Sequence, residues 1–147
     1  GAALTAETLE DLDILHQMAV RLGCAPLFQL SQWADVRLSV GENGRFLYLN
    51  NYHDDPVDTT VALQNEPLFD GRSIHLPARQ GLILPLEWRL NDQVTVHYAT
   101  AEITGITTTE ETMVLSIRPS TATAAVTIGI TRQTLHTSDG QIEFVIR

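Results

Sequence analysis

The 147-residue sequence predicts a mainly β protein, a β-sandwich of one or two small antiparallel units with a single N-terminal α-helix. Three observations predict it. Apolar residues recur with period two in short runs along most of the chain, and Gly, Pro, Asn and Asp punctuate those runs. Only one segment, near the start, shows the three- and four-residue steps of a helix. Short strands at this spacing close into a sandwich or barrel.

The helix is expected over residues 5–22, where Leu9, Leu12, Leu15, Ala19 and Leu22 share one face. Thr5 is placed to cap it, and Leu4 and Leu9 hold the positions of a hydrophobic staple. Glu7, Glu10 and Asp11 suit the positive end of the helix dipole, and Gly23 followed by Pro26 ends the segment. A helix of this length is marginal alone in water, so its apolar face is expected to lie against a sheet.

After Trp33 the period changes to two. Val36, Leu38 and Val40 alternate with polar residues, Gly41-Glu42-Asn43-Gly44 supplies a turn, and the run Phe46 to Asn50 completes a hairpin. Val57, Thr59, Val61 and Leu63 form the next inward row, and Ser73–Leu76 and Leu82–Leu86 continue the meander. The expected core of this unit is Val36, Leu38, Phe46, Leu47, Leu49, Val61, Leu63, Leu82 and Leu84. A second β series starts at Asn91-Asp92. Val94, Val96 and Tyr98 face one way; Met113, Leu115 and Ile117, then Val126, Ile128 and Ile130, then Ile142, Phe144 and Ile146 repeat the logic. Thr107–Thr109 and Thr121–Thr123 suit strands and their ends.

Composition narrows the functions. The chain is 44% hydrophobic and 18% charged, which is globular, and its formal net charge of -9 repels a phosphate backbone or an anionic membrane surface. Every basic residue is Arg, which removes Lys Schiff-base chemistry. The single cysteine, Cys24, makes no intrachain disulfide and is expected to be buried at the helix end as a small hydrophobe; a cytoplasmic setting follows. No apolar run reaches the roughly 18 residues of a membrane span. Gly1 before Ala2-Ala3 reads as a cleavage scar and the abrupt end at Arg147 as a truncation, so the chain is expected to be part of a longer one.

Candidate chemistry is sparse. Gln64-Asn65-Glu66-Pro67 resembles the strand-end Asn-Glu of barrel glycosidases, but a partner carboxylate on a barrel of about 250 residues is required, and these four read as turn residues. His53-Asp54-Asp55 also reads as a turn. The histidines His16, His53, His75, His97 and His136 fall into no zinc-ligand spacing, and neither a nucleophile elbow nor a phosphate loop occurs. No catalytic residue, metal ligand or cofactor is therefore assigned. Among the aromatics, Tyr48 and Tyr98 lie in strands and are expected in the core. Trp33, Trp88 and Tyr52 are the candidates for sugar contact or for packing against a neighbouring domain.

Pieces in order carry a resemblance: Asp35-Val36-Arg37-Leu38-Ser39, then Arg45-Phe46-Leu47-Tyr48-Leu49-Asn50-Asn51-Tyr52 and Asp55-Pro56-Val57, then Phe69-Asp70-Gly71 through His75-Leu76-Pro77, and Gln80-Gly81-Leu82-Ile83-Leu84-Pro85-Leu86. Together they look like the C-terminal β-sandwich of bacterial β-galactosidase-like glycoside hydrolases of the family-42 and family-35 type. Arg21-Leu22-Gly23-Cys24-Ala25-Pro26 is similar to the helix end before that sandwich. Val96-His97-Tyr98-Ala99-Thr100-Ala101-Glu102 is similar to a phrase of family-35 accessory domains, which gives Glu102 no catalytic role. The resemblance implies residues 1–32 as helix and linker from a preceding domain, 33–90 as the sandwich unit and 91–147 as a second β unit. It also implies a non-catalytic accessory role, with an upstream catalytic domain of the same chain as partner. A carbohydrate-binding module and a homo-oligomer stay open as alternatives.

Overall fold

The computed structural model describes residues 9–24, 26–118, 124–129 and 132–146. The chain is mainly β, with several antiparallel sheets and one short helix, in a sandwich-like arrangement. The expected Thr5 cap, the Leu4–Leu9 staple, Glu7, Thr121–Thr123 and Ile130 lie outside the described residues, as do the side chains of Leu9, Glu10, Asp11 and Leu12. Helix α1 (Leu9–Arg21) ends where glycine permits. Gly23 takes φ +86°, its amide donates to the Val20 carbonyl, and the Cys24 amide reaches back to Ala19, which is a Schellman closure.

Strands β1 (Phe28–Leu30), β2 (Asp35–Gly41), β3 (Gly44–Asn50), β4 (Val57–Thr59), β5 (Val61–Leu63), β6 (Glu66–Pro67), β7 (Ile74–Leu76) and β8 (Gly81–Arg89) form the first series. The second holds β9 (Thr95–Ala99), β10 (Ile103–Thr108), β11 (Thr112–Ile117), β12 (Ala124–Ile128), β13 (Gln133–Thr137) and β14 (Gln141–Val145). One six-stranded sheet, in the order β13-β12-β9-β8-β3-β2, draws strands from both series. Three smaller sheets, β1-β5-β6, β4-β7 and β10-β11-β14, accompany it.

Two cores result. Leu47, Leu49, Leu82, Leu84 and Leu86 of the large sheet meet Val61, Phe69, Ile74 and Leu76, while Val96, Val126 and Ile128 meet Met113, Leu115, Ile117 and Ile142. Leu47, Leu49, Val61, Leu82 and Leu84 are buried as expected, and Val36 and Leu38 pack partly buried against them. Phe46 differs, because strand alternation turns it to the opposite face from Leu47, where it meets Trp88. The row Val57–Leu63 is two strands in two sheets, broken at Thr60. The β2–β3 hairpin closes at Gly44, with φ +146°; a Cβ there would meet backbone atoms of Glu87 and Trp88 at 2.6 and 2.7 Å. No larger residue fits beside β8 at that point.

Three expectations need correction. Tyr48 is 37% exposed rather than core, because burying Leu47 and Leu49 points residue 48 outward. Cys24 is exposed, since the chain leaves α1 at the surface. The α1 face does not lie on a sheet in the expected way: Leu15 and Ala19 are half-buried, Leu22 is 80% exposed, and α1 makes no broad contact with any described strand.

Candidate functional site

Two segments on either side of the β2–β3 hairpin frame a cleft. The first, residues 26–36, runs from α1 into β2 and is fixed by Thr59, which is fully buried. The Thr59 hydroxyl accepts from the Gln32 amide at 3.1 Å and donates to the Gln32 carbonyl at 2.8 Å, while the Ser31 amide donates to the Thr60 carbonyl and the Ser31 hydroxyl accepts from the Thr60 amide. Thr59→Val keeps the volume and removes both Gln32 bonds. It should lower unfolding free energy by about 1 kcal/mol in a denaturant titration; an unchanged midpoint would show that the segment is held by other contacts.

The second segment, residues 51–56, is fixed by Asn51, which is 1% exposed. Its carboxamide nitrogen lies 2.9, 3.3 and 3.2 Å from the carbonyls of Asp55, Leu76 and Pro77, and its oxygen accepts from the His53 amide at 2.9 Å. The Asn51 backbone amide donates to the Gln80 carbonyl, and Arg79 pairs with Asp54. Between the two segments is a cleft of about 700 Å³. Trp33 and His53 meet edge-to-face in it, with ring centroids 5.8 Å apart. Leu27 and Val57 supply apolar wall, and Asp35 and Asp55 supply carboxylates. Asp35 Oδ2 has no hydrogen-bond partner; Arg37 Nε at 3.5 Å is near enough for an ion pair only.

The other sequence candidates sit elsewhere. Trp88 is half-buried, packs edge-on against Phe46 at 5.4 Å and adjoins the second core, so it joins the two β series. Tyr52 is 49% exposed and lines a shallow groove of about 530 Å³ on the outer face of β2 and β3, together with Tyr48. The alternation that buries Leu47 and Leu49 is the signal that could have identified Tyr48. Glu66 is exposed and follows a two-residue turn in which Gln64 and Asn65 adopt φ of 50° and 69°, the geometry of a tight hairpin.

The remaining polar clusters are structural ties. His97 touches Glu87 through Nδ1 and the Gly129 carbonyl through Nε2, both at 2.8 Å, and Arg132 holds the other Glu87 oxygen, so both ring nitrogens are engaged. Glu102 Oε1 accepts from the Ile83 amide at 2.7 Å and Oε2 pairs with Arg118 at 2.9 Å, which fastens β8 to the second series. Cross-strand partners Asp58 and His75 pair at 2.9 Å. In the β13–β14 turn the Thr137 hydroxyl, then the Gln141 amide, hold the Asp139 carboxyl below the usual carboxylate range. Among the described residues no three His, Cys, Asp or Glu side chains are grouped to hold a metal ion, and no helix is long and apolar enough to cross a membrane.

Compared with known proteins, the chain matches no family model, and no curated protein matches it.

Proposed function

We propose that the chain is a non-catalytic accessory β module of a β-galactosidase-like glycoside hydrolase of the bacterial cytoplasm, packed through α1 against a catalytic barrel carried elsewhere on the same polypeptide. The observation that carries the reading is the uncovered apolar surface of α1 and the segment after it. Ile14, Met18 and Leu22 stand exposed at four-residue steps on one side of a 13-residue helix and its end, with Leu27 exposed in the segment after it, and such a helix could not hold itself together alone in water. A neighbouring domain that buries these side chains accounts for both the helix and its composition.

The carboxylates support the same reading. Retaining glycoside hydrolysis requires two of them about 5 Å apart in a rigid pocket. Here Glu87 and Glu102 are tied to arginines, Glu66 stands on a hairpin turn in solvent, and of the two carboxylates in the cleft Asp35 is ion-paired with Arg37 and Asp55 is exposed. The test is to assay the purified chain on a chromogenic β-galactoside beside its Glu66→Gln variant, and to compare the self-association of the chain with that of a Met18→Glu, Leu22→Glu variant. Background turnover by both chains, and weaker self-association of the double variant at an unchanged melting temperature, are expected. Turnover that disappears in Glu66→Gln would overturn the proposal, as would a double variant that associates as before.

A further inference from the structure

We infer that the outer face of the large sheet at its β2–β3 edge is a binding platform for a neutral oligosaccharide, with Tyr48 and Tyr52 as stacking rings. The inference is independent of the accessory role proposed above. Residues 48, 50 and 52 alternate onto one side of the chain, and Tyr48, Asn50 and Tyr52 line one groove with Arg37 and Ser39 of β2. In the register of the sheet, Arg37, Tyr48 and Ile83 form a row across three strands. All three are open: the Arg37 side chain is 76% exposed, Tyr48 37% and Ile83 46%.

Tyr48 and Tyr52 set partly uncovered aromatic rings beside the hydrogen-bonding groups of Arg37, Ser39 and Asn50. A pyranose matches this mixture. Its C–H face lies on an aromatic ring, and its equatorial hydroxyls, which both donate and accept, meet a guanidinium, a hydroxyl and a carboxamide. Ser39 and Asn50 supply such groups without being tied to another described side chain. Charge selects among saccharides. Arg37 lies beside Asp35, and the whole chain carries a formal net charge of -9, so a polyanionic glycan is repelled and a neutral one is not. Two rings four residues apart along the chain, one on β3 and one just past its end, favour a chain of several sugar units over a monosaccharide.

The test is affinity electrophoresis of the full chain in native gels containing β-1,4-galactan, xyloglucan or polygalacturonate, followed by titration calorimetry with oligosaccharides of whichever neutral glycan retards it. Retardation by a neutral glycan and not by polygalacturonate is expected. Tyr48→Ala and Tyr52→Ala should each weaken binding roughly tenfold, while Tyr48→Phe and Tyr52→Phe keep most of it because the stacking ring remains. Both rings are exposed, so the alanine variants should melt within a few degrees of the native chain. Ile106→Ala, on β10 outside the groove, should bind normally. The inference is overturned if neither neutral glycan retards the chain, if polygalacturonate is preferred, or if the alanine variants bind as tightly as the native protein. Loss of binding in Trp33→Ala with both tyrosine variants intact would also overturn it, because the ligand would then occupy the cleft beside His53.

Discussion

Replacing Leu49 with alanine is expected to lower the unfolding free energy by about 2–5 kcal/mol, the range of large-to-small changes in packed cores. Leu49 has no exposed surface, stands opposite Leu82 on β8 and Val36 on β2, and belongs to the first core. Cα partners flank it on both sides, so the surrounding strands cannot collapse into the space without giving up their hydrogen bonds, and the cavity stays open. A urea titration should show the midpoint falling at constant slope. A change below about half a kcal/mol would mean that β3 presents its other face to the core. In that case Tyr48, and with it the proposed saccharide platform, would point inward.

Asn51→Leu is expected to remove about 3 kcal/mol or more, although it keeps the number and branching of the heavy atoms, because buried polar groups left without partners each lose on the order of 1–3 kcal/mol. The substitution removes the two amide hydrogens that serve the carbonyls of Asp55, Leu76 and Pro77, and the oxygen that accepts from the His53 amide. Asn51→Asp separates the contributions. It keeps the acceptor for His53 and, when ionised, has no donor for the carbonyls, so it should be nearly as damaging at neutral pH. Thermal melts of the two variants provide the check. If both melt like the native chain, the loop of residues 51–56 is held by Arg79–Asp54 and the Asn51 backbone alone.

Much of the β architecture is legible in the sequence because alternation and breakers are local signals. The hairpin at Gly41–Gly44, the inward rows of β8 and β11, and the end of α1 at Gly23 depend on neighbours within a few residues. What the sequence hides depends on distant partners. Val57 to Leu63 alternates without interruption, and its break at Thr60 coincides with bonds from Thr59 and Thr60 to Gln32 and Ser31, which lie far earlier in the chain. Asn51 sits in a run of turn residues and looks like any loop asparagine; its role is set by carbonyls some 25 residues later. Trp33 and Trp88 stand out as candidates from their positions at segment junctions. Tyr48 does not while Phe46, Leu47 and Leu49 are all assigned inward, an arrangement that strand geometry forbids. The period of α1 says only that a side is apolar and not what covers it.

The participation of β8 in both halves of the large sheet determines how the molecule comes apart. Leu86 pairs with Arg45 of β3 on one side and with Tyr98 of β9 on the other, and Tyr98 and Ala125 from the second series belong to the first core. Melting either core first would strip one edge of β8, expose its backbone amides and carbonyls, and uncover the apolar side chains of the other core. Such a half-unfolded species keeps the entropy cost of the ordered half while losing much of its burial, so it is poorly populated. The seam therefore makes the two series one cooperative unit, and the slowest amides to exchange with solvent deuterium should cluster along β8 and β9 rather than at the centre of either core alone.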